Sequence, residues 1–219
     1  MERKRRSRFD LPQVIPVFPL PGALLLPRGR LPLNIFEPRY LAMVDQALRT
    51  TRVIGMIQPC GGNASRPDLF PVGCLGRLTA WSETDDGRFL ITLTGIARFQ
   101  VCSEVEAATP YRQIEANYKA YPHDLEESED GADIDRERLA TSLKCYLRQQ
   151  EIGADWSLIE RAPAEMLINY LAMICPFDVA EKQGLLEART LCERANMLTT
   201  LIEMAAAADS GAESGGTLQ

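Results

Sequence analysis

His123 is the only histidine among the 219 residues, so any Ser-His dyad, Cys-His dyad or imidazole metal site must use it. It stands in YPHDLEESEDGAD (121–133), an acidic stretch with no apolar period. General-base work needs an imidazole held within about 3 Å of the proton it takes. Nothing in this stretch predicts such a partner, and the residue reads as a solvated histidine. Ser142 and Lys144 have the types for a Ser-Lys pair, but they lie two apart on a predicted helix and face different ways. Asp85 and Asp86 are adjacent carboxylates, but Asp85-Asp86-Gly87 is a tight-turn signature. An exposed turn gives no desolvation to separate two carboxyl pKa values. There is no GxxxxGK[ST] motif and no Gly-Lys dipeptide, hence no P-loop for ATP. The six cysteines (60, 74, 102, 145, 175 and 192) contain no CxxC pair. Their scatter suits reduced thiols in a cytosolic protein better than a disulfide frame or a zinc site. No catalytic, cofactor-binding or metal-binding residue is assigned, no cofactor is expected, and the chain is not expected to be an enzyme.

One charged corner remains. LPLNIFEPRYLAMVDQAL (31–48) begins with the alternation of a strand, at Leu31, Leu33 and Ile35. It ends with a helical stripe of Tyr40, Leu41, Val44, Ala47 and Leu48. Phe36, Glu37, Pro38, Arg39 and Tyr40 sit at the junction. In one reading Pro38 opens the helix, Glu37 caps or precedes it where a negative charge meets the positive dipole end, and Arg39 is solvated or paired. In the other, these five residues form a protein-binding patch, since aromatic and arginine side chains are typical binding anchors. The sequence permits both.

The elements that must position this corner change character near residue 122. Before it, short β-type runs are broken by Pro and Gly, at 14–18, 23–26, 31–36, 53–58, 72–81, 88–94, 96–105 and 111–118. Such spacing implies a small barrel or sandwich with one inserted helix. Within FPLPGALLLP (18–27), Leu24, Leu25 and Leu26 read as core rather than as an exposed groove. After residue 131 the period is helical. Leu139, Leu143, Tyr146 and Leu147 share a face, as do Leu167, Tyr170, Leu171 and Ile174. Pro163 can open a helix, and Asp178 to Glu181 and Thr190 to Glu193 resemble capping boxes. The last helix carries Leu191, Leu198, Leu201, Ile202 and Ala205. The expected organisation is a disordered basic N-terminus (1–11), a β-rich part (12–121), an exposed acidic linker (122–133), a helical part (134–208) and a disordered tail (209–219).

Apolar residues make up 46% and charged residues 25%, ordinary for a soluble globular protein. No apolar run reaches the roughly 18–20 residues that span a bilayer, and MERKRRSRFD has no apolar segment of a secretory signal. A cytoplasmic location is expected, with no membrane partner. The net charge is −6, yet residues 1–8 hold five basic side chains and one acidic. The body therefore carries about −10, which should repel nucleic-acid phosphates.

IPVFPLPGALLLPRGRLPLNIFEPRYLAMVDQAL, then GMIQP, then GCLGRLTAWSETDDGRFLITLTGIARFQV together resemble the N-terminal substrate-binding domain of Lon proteases. AEMLINYLAMICPFDVAEKQGLLEARTLCERANMLTTLIEM resembles the helices that follow in that domain. The resemblance covers residues 12 to 206. It implies an α+β fold, a PUA-like β pseudo-barrel with one inserted helix followed by a C-terminal α-helical bundle. It implies a role in recognising unfolded, partly folded or tagged proteins or peptides, in company with a protease or chaperone. In Lon this domain precedes ATPase and Ser-Lys peptidase modules, which this sequence does not contain. PUA-like barrels often hold RNA, so an RNA-binding protein is the alternative, against which the acidic body argues. The corner at 36–40 aligns with the surface Lon uses toward substrates.

Overall fold

A computed structural model describes residues 11–63, 66–126 and 133–213, with side chains to residue 208. The basic N-terminus expected to be disordered lies almost wholly outside the described residues. The fold is mixed α and β, with six strands in one sheet and six α-helices among the described residues. The chain divides into two compact units, Met1–Glu127 and Ser128–Gln219.

The first unit holds β1 (Val14–Pro19), β2 (Arg30–Ile35), α1 (Pro38–Arg49), β3 (Val53–Asn63), β4 (Arg66–Glu83), β5 (Phe89–Val105) and β6 (Gln113–Asn117). The sheet order is β2-β5-β4-β3-β1-β6, and β6 pairs again with β5, so five strands close on themselves. The long β5 makes this closure possible: its first half pairs with β2 (Leu33 opposite Ile91) and its second with β6 (Val101 opposite Ala116). The interior is filled by Ile15, Val17, Val53, Ile57, Leu75, Phe99 and Ile114. Each such side chain, fully buried, contributes about 1.5–3 kcal/mol.

Two expected runs, 88–94 and 96–105, are therefore one strand, continuous through Gly95. A Cβ at Gly95 would lie 2.0 Å from the Leu26 carbonyl oxygen. The residue is glycine because the 26–29 segment crosses there, with Arg28 N–H donating to the Gly95 carbonyl at 2.9 Å. The run 23–26 is not a strand: its backbone makes this crossing instead. Leu24, Leu25 and Leu26 are buried, as core residues. The Asp85-Asp86-Gly87 turn joins β4 to β5, with Gly87 at φ 78°.

The expected exposed linker 122–133 departs at its start. Pro122–Leu125 is a 3-10 turn, and Asp124 is buried with Arg98. The Asp124 carboxylate accepts from the Arg98 backbone N–H at 2.8 Å and from its Nη2 at 2.8 Å. Arg98 also stacks on Tyr121, 4.0 Å from the ring centroid. A run of acidic residues reads as solvated unless a buried cation elsewhere claims one of them, and Arg98 stands 26 residues earlier. His123 is exposed on this turn, with Nδ1 2.8 Å from Glu126. Residues 127–132 lie outside the described residues.

The second unit holds α2 (Arg136–Gln149), α3 (Trp156–Arg161), α4 (Ala164–Ile174), α5 (Val179–Glu187) and α6 (Leu191–Glu213). Local chemistry sets their starts. Asp178 and Glu181 form a reciprocal capping box, and Thr190 and Glu193 do the same at α6. Helix α6 packs with α2, α4 and α5. Buried Arg194 on α6 donates to the Leu185 carbonyl at 3.0 Å and to Asn169 at 3.0 Å, tying α5 and α4 to it. Leu139, Leu143 and Tyr146 of α2 are buried as the period predicts. In α4 the stripe is rotated: Leu167 and Leu171 are buried with Ile168 and Ala172, while Tyr170 and Ile174 are exposed. That helix is apolar nearly all round, so periodicity alone does not fix its inward arc. Residues 209–213, expected to be disordered, continue α6; residues 214–219 lie outside the described residues.

Candidate protein-binding cleft

Helix α1 begins where expected, with Pro38 in its first turn. Glu37 holds the N-cap position, but its side chain makes no cap hydrogen bond. Its carbonyl accepts from Tyr40 and Leu41 N–H, each at 2.9 Å, and its carboxylate turns to Arg39. Arg39 Nε and Nη2 meet the same Glu37 oxygen at 2.9 and 2.8 Å. The capping role of the side chain is thus replaced by an exposed ion pair, worth about 0.2–1 kcal/mol. The Arg39 guanidinium lies 4.5 Å from the Tyr40 ring centroid, and Tyr40 packs on Phe18 with centroids 4.2 Å apart. Tyr40 is anchored by the helix face that also buries Met43, Val44 and Ala47.

Glu37, Arg39 and Tyr40 line a cleft of about 300 Å³. Of the five residues singled out from the sequence, Phe36 is 62% exposed beside it and Pro38 is exposed at the helix start; neither lines it. The opposite wall comes from four places far apart in sequence. Phe18, Pro19, Leu20 and Pro21 end β1 and enter a turn. Pro21 and Gly22 (φ 72°) carry the signature of a type II turn, closed by Ala23 N–H to the Leu20 carbonyl at 3.4 Å. Pro59 and Pro67 stand on the two strands of the outer β3–β4 hairpin, opposite Leu69 and Gly62 respectively, and Pro110, Tyr111 and Arg112 precede β6. Arg112 fastens these pieces, donating from Nη1 to the Pro67 carbonyl at 2.6 Å and pairing through Nη2 with Glu104. Arg66 reaches the other Glu104 oxygen at 2.8 Å. The Arg112 hydrogen bond, with help from Arg66, holds the Glu104 carboxyl below its ordinary range.

The lining is mostly rings. Its five prolines have no N–H, so the hydrogen-bond donors come from Arg39, Arg112 and the two tyrosines. Burial pushes the Tyr40 phenol up, Arg39 opposing, so it stays protonated at neutral pH and can donate. Sequence reasoning missed the prolines, Tyr111 and Arg112. Their one signal is compositional: Tyr111-Arg112 reverses the Arg39-Tyr40 pair, and FPLPG repeats the proline–aromatic theme. Only the pairing of β1 with both β3 and β6 brings them together.

The helical unit has a second cleft of about 410 Å³. Leu139, Leu143, Ile159 and Leu167 line it, with Arg136, Glu137, Lys144 and Glu160 charged among them. Ser142 and Lys144 do not meet: Ser142 Oγ donates to the Arg138 carbonyl and Glu203, and Lys144 lies over Trp156 at 5.0 Å. All six cysteines are free thiols, and burial pushes Cys175 up to about 11. No group of three or more His, Cys, Asp or Glu among the described residues could hold a metal ion. No helix among them is long and apolar enough to cross a membrane.

The chain is 26% identical to Lon protease 2 of Myxococcus xanthus and 27% identical to Lon protease of Anaeromyxobacter dehalogenans, in each case over 90% of its own length. It spans only 24% of the length of each of these relatives. Its fold is similar to the Lon N-terminal domain protein from Xanthomonas campestris (TM-score 0.59, 21% identity, 85% of this chain and 97% of that one). It is likewise similar to the N-terminal domain of Mycobacterium avium complex Lon protease (TM-score 0.58, 16% identity, 86% and 97%). The sequence model of the ATP-dependent protease La (LON) substrate-binding domain matches residues 14–204, and the chain belongs to that family.

Proposed function

We propose that this chain is a non-catalytic recognition module that holds segments of unfolded or tagged proteins in the cleft beside the 36–40 corner. The observation that carries the reading is the ring-lined cleft at that junction, in a chain of the Lon substrate-binding family. Three of the five residues proposed from the sequence line it; Phe36 adds an exposed ring at its margin. In this reading the closed five-strand sheet is the PUA-like barrel of the family, the helical unit is its bundle, and the working context is cytoplasmic, next to a protease or chaperone. An unfolded client is ordered on binding, which offsets much of the contact energy. Affinities of micromolar class follow, about −8 kcal/mol.

The test is client affinity and thermal unfolding, measured side by side on the intact chain with a labelled, permanently unfolded protein. The Glu37→Lys, Arg39→Glu double variant keeps opposite charges at the junction and should shift stability by only about 0.5 kcal/mol. Client binding should weaken about tenfold. Unchanged binding would mean that the corner is only a helix start and that clients are held elsewhere. Should the double variant unfold, Pro21→Arg at the exposed turn blocks the same cleft, and normal binding by that variant would sink the reading equally.

A further inference from the structure

The cleft has an imbalance of hydrogen-bonding groups that points to what it takes. Its proline walls donate nothing. The Tyr40 hydroxyl has no hydrogen-bond partner among the described residues, and its phenol keeps its proton at neutral pH. Arg39 spends two N–H groups on a single Glu37 oxygen and has no other hydrogen-bond partner among the described residues. Against Arg39 and Arg112 the lining offers one carboxylate, Glu37, and Glu104 beyond the lining is already shared between Arg112 and Arg66. The spare capacity is for donating, on a cationic side of an apolar cleft. The volume, about 300 Å³, admits one large side chain rather than a stretch of them.

We propose that the cleft recognises a bulky apolar side chain with a carboxylate beside it, the ring packing against prolines and tyrosines and the carboxylate accepting from Tyr40 Oη and Arg39. The carboxylate is the free C-terminus of a chain that ends in a bulky apolar residue, because a terminal residue carries side chain and carboxylate on one Cα and so fits a cleft with room for a single large side chain. This rests on the reading of the cleft as a client site and adds a chemical selection to it. Proline walls also exclude strand addition as the binding mode, since a strand needs a partner backbone that both donates and accepts. Recognition passes through side chains and a terminal anion.

The experiment uses the intact chain and three labelled hexapeptides. The first ends in phenylalanine with a free carboxylate, the second is the same peptide amidated, and the third is the amidated peptide with aspartate before the phenylalanine. Charge-assisted hydrogen bonds predict that the first binds about tenfold tighter than the second and the third. Tightening of the third peptide without the first would overturn the C-terminal assignment in favour of an acidic side chain. Tyr40→Phe, which removes one oxygen, should shrink the ratio of free-carboxylate to plain-amide affinity at least threefold. Arg39→Gln should shrink it further. Equal binding of all three peptides, abolished by Pro21→Arg, would overturn the carboxylate inference and leave the client-site reading standing. Failure of all three while an unfolded protein still binds would overturn the inference, and failure of both would overturn the two together.

Discussion

The cleft of the β unit and that of the helical unit have comparable volumes, about 300 and 410 Å³, and different walls. The first is framed by prolines, by backbone fixed in a closed sheet and by Arg112 fastened to the Pro67 carbonyl. The second has one side on α3, a six-residue helix with no buried residue. That helix is held by its Asp155 cap, by Lys144 over Trp156, and by Arg136 Nη2 donating to the carbonyls of Ile159, Glu160 and Ala162 at 3.0–3.3 Å. The first frame is fixed by strand pairing and the Arg112 hydrogen bond; the second rests partly on a short helix that buries no residue. Size alone would favour the helical cleft. Preorganisation separates them.

The largest expected effect tests the frame of the first cleft. Asp124→Asn leaves Arg98 charged and buried without its counter-ion, which costs about 3–5 kcal/mol. Thermal unfolding should show it, and a loss under about 1 kcal/mol would mean that the closed sheet does not depend on this pair. A smaller effect concerns the hairpin wall. The folded Glu104 pKa is lowered, so its contribution is present above the ordinary glutamate value of about 4.3 and lost as pH falls through the lower folded value. The stability difference between the chain and Glu104→Gln should shrink toward zero over that window. A difference independent of pH would remove the ion pair as its cause. The smallest effect belongs to the second cleft. Trp156→Ala should cost under about 1 kcal/mol, because α3 buries so little. Amide hydrogen exchange should find 156–161 among the fastest helical segments, with β5 among the slowest. Slow exchange in α3 would erase the contrast between the clefts.

What the sequence disclosed follows the range of the interactions. The Asp178 and Thr190 capping boxes, the Gly87 turn and the Pro38 helix start each depend on residues within a few positions, and each stands in the structure. The family resemblance, carried by ordered motifs over nearly the whole chain, also stands. Buried partnerships across long separations were not legible. Asp124 looked like one more linker carboxylate until Arg98 appeared beside it. Tyr111 and Arg112 belong to the cleft only because β6 closes the sheet. The α4 stripe failed for a different reason: an apolar helix offers several arcs, and its neighbours choose among them.

Sheet closure has a further bearing on the proposal that the clients are unfolded chains. Open backbone edges remain on β2 and along the outer β3–β4 hairpin. Pro32 interrupts the first, and Pro59 and Pro67 sit in the second. Proline on an edge withholds the N–H that an incoming strand would bond. A partner chain rich in unsatisfied amides therefore finds side-chain surface to rest on but no ladder to extend. On the proposed function, such a module would meet aggregation-prone material without seeding co-aggregation and would let go of a client by releasing one or two side chains.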